Sequence, residues 1–105
     1  MKYLKTYEDY NNMNDVHIGD YVIVYKNTKY GGGKLVDVIN FANNNVGHVV
    51  DEYKYLWLIK YESIPSGIKS YFVDDILKIP KQYIKHFSKN KEELEMIVNS
   101  KNYNL

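Results

Sequence analysis

The chain has 105 residues, 45% hydrophobic and 26% charged, with a formal charge of +1, which describes one small domain with a modest core. The absence of cysteine excludes disulfides, Cys-ligated zinc and iron–sulfur clusters. No apolar run is as long as a membrane span, and the opening MKYLKTYEDY carries charge where a secretory signal needs an apolar stretch, so the expectation is a cytoplasmic protein without a membrane role.

Residues 1–105 read as a single domain: an extension or short helix over 1–15, a barrel-like sheet over 18–75 and a helical region over 80–105. Tyr3, Leu4, Tyr7 and Tyr10 fall at helical spacing. Ile18-Gly19-Asp20 makes a turn, and Tyr21 to Tyr25 (YVIVY) is β-branched and aromatic as a strand requires. After Gly31-Gly32-Gly33, Lys34 to Asn44 places Leu35, Val38, Ile39 and Ala42 at helical spacing, which favours a short helix over a strand. A second strand follows over Val46 to Val50, turning near Asp51-Glu52. Its return strand, Tyr53 to Tyr61, sends Tyr53, Tyr55, Trp57, Ile59 and Tyr61 to one side and Lys54, Leu56, Leu58 and Lys60 to the other.

Ile64-Pro65-Ser66-Gly67 makes a further turn, and Ser70 to Val73 gives a short strand before Asp74-Asp75. Beyond Pro80, Tyr83, Ile84 and Phe87 fit either a short helix or a strand through Tyr83 to Phe87. A last helix runs from about Lys91 to Ser100. Asn90 is its cap, Glu92 and Glu93 lie in its positively polarised first turn, and Leu94, Ile97 and Val98 form its apolar stripe.

The pattern Ile18-Gly19-Asp20-x-Val22-x-Val24, then Val46-Gly47-x-Val49, then Trp57-x-Ile59-x-Tyr61 resembles the small SH3-like barrels that include KOW-type modules, over residues 18 to 61. The resemblance implies a core of Val22, Val24, Val49, Trp57, Ile59 and Tyr61. About twenty residues, among them the triple glycine and the helix, separate the first two strands, which is a departure from a plain KOW module. The expected fold is therefore α+β: an SH3-like barrel or strongly bent antiparallel sheet, with a short internal helix and a C-terminal helix.

A second likeness concerns the whole chain. Lys, Asn, Tyr and Ile number 14, 12, 12 and 10, while Arg is absent and Gln occurs once, so codons rich in A and T account for much of the tyrosine. With its Lys/Tyr-rich opening and the tail SKNKEELEMIVNSKNYNL, the chain resembles small bacteriophage proteins, which implies an accessory protein that blocks something in a host. The missing Arg argues against sequence-specific DNA readout, because Lys has no planar fork to match a base edge.

Chemistry-bearing constellations are sparse. His17 to Asp20 and His48 to Asp51 are His-x-x-Asp pairs, and His86 is the third histidine. Residues three apart on a strand point to opposite faces, so neither pair converges on a metal unless a turn intervenes, and Asp20 also suits a turn cap. None of the five serines lies in a nucleophile elbow. Gly31-Gly32-Gly33-Lys34 lacks the leading glycine and the hydroxyl residue of a phosphate loop. No enzyme, metal or cofactor is expected.

Two binding surfaces remain. Tyr25, Tyr30, Tyr53 and Tyr55, rimmed by Lys26, Lys29 and Lys34, suit a host protein as partner, because exposed aromatic patches mark interfaces. The alternative is a KOW-like nucleic-acid-binding module using Lys78, Lys81, Lys85, Lys89 and Lys91, in the acid-free stretch of a C-terminal half that carries +3 against −2 for the first 52 residues.

Overall fold

The computed structural model describes residues 16–28 and 32–103. The expected N-terminal helix, together with Lys29, Tyr30 and Gly31, lies outside the described residues.

The sheet starts from a turn that Gly19 makes possible. Its φ of +99° is a conformation that side chains rarely adopt, and it lets its N–H donate to the Val49 carbonyl (2.8 Å) while the Asp20 carbonyl accepts from the Val49 N–H (2.8 Å). Strand β1 (Tyr21–Val24) follows, then helix α1 (Gly33–Asn43), β2 (Gly47–Tyr53), β3 (Leu56–Lys60), β4 (Ile76–Pro80), β5 (Ile84–Ser88) and helix α2 (Lys91–Tyr103). The five strands form one antiparallel sheet in the order β4-β3-β2-β1-β5. The fold is α+β, and of the two forms expected it takes the open sheet: among the described residues no ladder joins β4 to β5.

Alternation along the strands decides what is buried. Val22 and Val24 point into the main core with Val49, Trp57, Ile59 and Tyr61, joined by Val38 and Ala42 of α1 and by Ile68, Phe72, Ile79, Ile84 and Phe87. The phenyl rings of Phe41 and Phe72 meet Tyr61 edge-on, with centroids 5.6 and 6.2 Å away. Ile23, pointing to the other side of β1, is buried outside that cluster, as is Leu94 of α2, which packs on β5 and β1. The helix begins as its sequence foretold, with the Glu92 N–H donating to Asn90 Oδ1 (2.9 Å).

Several boundaries differ from expectation. The β2–β3 hairpin turns at Lys54-Tyr55 and not at Asp51-Glu52, because Lys54 adopts φ +56° and β2 carries its exposed acids to Tyr53. Tyr53 and Tyr55 are consequently no part of a buried strand face. Ser70 to Val73 is not a strand; Lys69–Tyr71 is a 3-10 turn, and Val73 makes only a bridge to Ile76 across Asp74 and Asp75, both at positive φ. Beyond β4, the stretch after Pro80 resolves into a 3-10 turn, Lys81–Tyr83, followed by a strand, so the strand reading holds there.

Candidate functional site

Asn43, the last residue of α1, fixes the chain that leaves β1. Its Oδ1 accepts from the Lys26 N–H (3.0 Å) and its Nδ2 donates to the Lys26 carbonyl (2.9 Å), so both backbone groups of Lys26 are satisfied by one side chain. One residue earlier, the Tyr25 N–H donates to the Tyr83 carbonyl (2.9 Å), while the Lys81 N–H donates to the Tyr55 carbonyl (2.9 Å). The 3-10 turn Lys81–Tyr83 is thereby held between the exit of β1 and the β2–β3 hairpin, two places far apart along the sheet but brought together by its curl.

Between α1 and β4 this arrangement leaves, among the described residues, a trough of about 340 Å³ that is partly open to solvent. Val24, Val38, Ala42 and Ile79 form its floor. The apolar stripe of α1 is only partly covered: Leu35 is 52% exposed on the lip and Ile39 is half-buried. Leu77 and Pro80 complete the opposite wall, and Lys26, Lys78 and Tyr83 supply the polar rim. Among the described residues no carboxylate and no histidine lines the trough.

At the rim, Lys26 Nζ donates to the Tyr83 hydroxyl (3.2 Å) and lies 4.8 Å from the ring centroid. That hydrogen bond, reinforced by the ammonium charge, holds the Tyr83 hydroxyl below the usual tyrosine pKa. Lys85 Nζ lies 5.3 Å from the centroid of Tyr25, whose ring is about half exposed, and Lys81 covers Trp57 at 4.5 Å while pairing with Glu52.

The residues singled out for a protein partner divide into groups. Tyr25 and Lys26 stand at the trough end, next to Tyr83. Tyr53 and Tyr55 are exposed at the hairpin tip, with Tyr55 joined to the same 3-10 turn. Lys34 extends its Nζ towards the Gly67 turn, and Lys29 and Tyr30 lie outside the described residues. Sequence reading passed over Tyr83 as a contact and gave Leu35 and Ile39 no part in a binding surface.

The five lysines of the alternative surface are spread over β4, the 3-10 turn, β5, the following loop and α2. Lys81 pairs with Glu52, Lys89 with Asp20 (2.8 Å), and Lys91 with Glu62 (3.2 Å) and Glu95 (3.7 Å), while Lys78 stands at the trough and Lys85 over Tyr25. Hydrogen bonding to Glu62 raises the Lys91 pKa. A smaller, polar cavity of about 210 Å³ is lined by Tyr21, Gly47, His48, Lys60, Glu62 and Lys91, and there His48 stacks on Tyr21 with centroids 4.5 Å apart.

A turn does intervene between His17 and Asp20, but the Asp20 carboxylate takes the backbone N–H of His17 (2.9 Å), which is the capping use of the residue. Among the described residues no group of three or more His, Asp or Glu side chains is placed to hold a metal ion, and no helix is long and apolar enough to cross a membrane. No protein-family model, no curated protein and no solved structure matches the chain.

Proposed function

We propose that the protein is a non-enzymatic binding module that captures a partner protein through the α1–β4 trough and the tyrosine–lysine rim beside it. The observation that carries this reading is the half-covered stripe of α1: Leu35 and Ile39 leave apolar surface open to water next to Val38 and Ala42, and exposed apolar surface in a concave setting favours a ligand. Tyr25, Lys26, Tyr83 and Lys85 extend the surface outward, with ring faces and ammonium groups in contact, a combination suited to protein interfaces.

The reading extends to an accessory protein that a bacteriophage directs against a protein in the host cytoplasm, with the Arg-free, Lys- and Asn-rich composition as its support. Kinship with SH3-like barrels is part of the same proposal, supported by Val22, Val24, Val49, Trp57, Ile59 and Tyr61 all lying in the core.

The test is site-specific photo-crosslinking in the cells that naturally make the protein. A benzophenone side chain at Leu35 should form an adduct with a second protein, whereas the same group at Met96, 71% exposed on α2, should form none. Equal capture at both positions, or none at Leu35, would remove the trough from the account. Nucleic-acid binding that weakens steeply with salt and is lost with Lys78 and Lys85 would favour the alternative surface.

A further inference from the structure

The trough is selective in its chemistry. Its floor, Val24, Val38, Ala42 and Ile79, presents apolar side chains, and the Asn43 amide beside it already bonds both backbone groups of Lys26. Whatever enters there must be apolar, since a polar group would be desolvated without a partner. Among the described residues the charges at the rim have one sign: Lys26 and Lys78 line the trough, and no acid does. Lys26 has three N–H donors and spends one on Tyr83, and the Tyr83 oxygen, accepting that bond, keeps its own O–H to donate. Two donors therefore converge at one end of an apolar slot, an arrangement that fits a carboxylate.

The form of the ligand follows from the edges. β4 is the outer strand of the sheet, but Val73 already pairs with Ile76, and Pro80 has no N–H to give. With Ile76 already paired and Pro80 lacking an N–H, that edge offers only a short ladder to a sixth strand, and an incoming segment binds chiefly by its side chains. Since the described residues leave the trough partly open and do not enclose a ligand, it suits a segment passing across it better than a free small molecule, which sites usually surround on most sides.

We propose that the trough receives an acidic, apolar peptide segment of the partner: one or two bulky apolar side chains lie over Val24, Val38, Ala42 and Ile79, and a neighbouring Asp or Glu reaches Lys26, Tyr83 and Lys78. The inference rests on the binding-module reading above and adds the chemistry of what is bound.

The experiment is a titration of the full chain, followed by amide chemical shifts, with four probes: the capped peptides Asp-Leu-Phe-Asp, Lys-Leu-Phe-Lys and Asp-Ser-Ser-Asp, and decanoate. At millimolar concentration the first should shift Val24, Val38, Ala42 and Ile79, and the charge-reversed and apolar-stripped peptides should not. Lys26→Gln and Lys78→Gln should each weaken binding about three-fold, in keeping with solvent-exposed ion pairs. Leu35→Glu, on an exposed lip position where folding is not at stake, should weaken it at least about ten-fold, and Met96→Glu should leave it unchanged. Equal binding of Lys-Leu-Phe-Lys, silence of Asp-Leu-Phe-Asp, or binding of decanoate alone would overturn the inference; the last outcome would make the trough an amphiphile site. If the acidic peptide is silent while the Leu35 cross-link still forms, only the stated chemistry fails. If the peptide binds but no protein is captured, the chemistry stands and the partner-protein reading fails.

Discussion

Gly47 lies against the ring of Tyr61. A Cβ at position 47 would stand 2.9 Å from Cε1 and Cζ of that ring and 2.3 Å from Cγ2 of Ile59, and both neighbours are fully buried. The start of β2 is thus shaped to the end of β3, with no room for even a methyl group. Gly47→Ala should cost about 2 kcal/mol, the usual range for overpacking a tight core. Urea denaturation checks this, and a loss below about 0.5 kcal/mol would show that the two strands separate easily.

Tyr61 carries its own test. Its hydroxyl is buried without a hydrogen-bond partner among the described residues, and burial pushes its pKa well above the ordinary tyrosine value. Tyr61→Phe removes a desolvated polar group, so stability should hold or rise by about 1 kcal/mol at neutral pH. The pH dependence has a definite sign. Above about pH 10 unfolded Tyr61 gives up its proton while folded Tyr61 keeps it, so the native protein loses up to about 1.4 kcal/mol per pH unit through this group. The difference between wild type and Tyr61→Phe isolates that slope from the other tyrosines. Parallel stability curves from pH 9 to 11 would mean that the hydroxyl reaches water.

Asp20 separates a turn bond from an ion pair. Its side chain is 3% exposed, accepts the His17 N–H and pairs with Lys89, whose own side chain is 80% exposed. Asp20→Ala strips a buried cap from the turn and should cost about 1–3 kcal/mol, whereas Lys89→Ala should cost less than about 1 kcal/mol. Thermal denaturation of the two variants decides the order; equal losses would make the ion pair the main contributor.

Asn43→Ala should destabilise the protein by about 2 kcal/mol, because it leaves the N–H and carbonyl of Lys26 without the partner that satisfies both. Hydrogen exchange of the Lys26 amide should accelerate more than that of Val49, deep in the sheet. Uniform acceleration would show that Asn43 supports the whole fold and not the trough end alone.

Much of this fold could be read in one dimension. The alternation of YVIVY put Val22 and Val24 in the core, the spacing of Leu35, Val38, Ile39 and Ala42 gave α1, and Asn90 with Glu92 marked the start of α2, each from residues a few positions apart. Strand β4 escaped because Tyr71-Phe72-Val73 has strand composition but forms a 3-10 turn and a single bridge, while Asp74 and Asp75 reverse the chain at positive φ, an unusual choice for Asp. The hairpin at Lys54 was displaced for a similar reason.

The candidate site was less legible. Tyr25 and Lys26 were visible as contacts, but the residue that completes them, Tyr83, is 57 positions from Lys26. Local periodicity fixed which side chains each element would bury, because the pleat and the helical turn repeat over a few residues. Only the tertiary structure decided which buried faces would meet and which would stay half-covered. The curl of the sheet, the Asn43 clamp on Lys26 and the 3-10 turn before β5 set the gap between α1 and β4, and those contacts join segments that no short window of sequence contains.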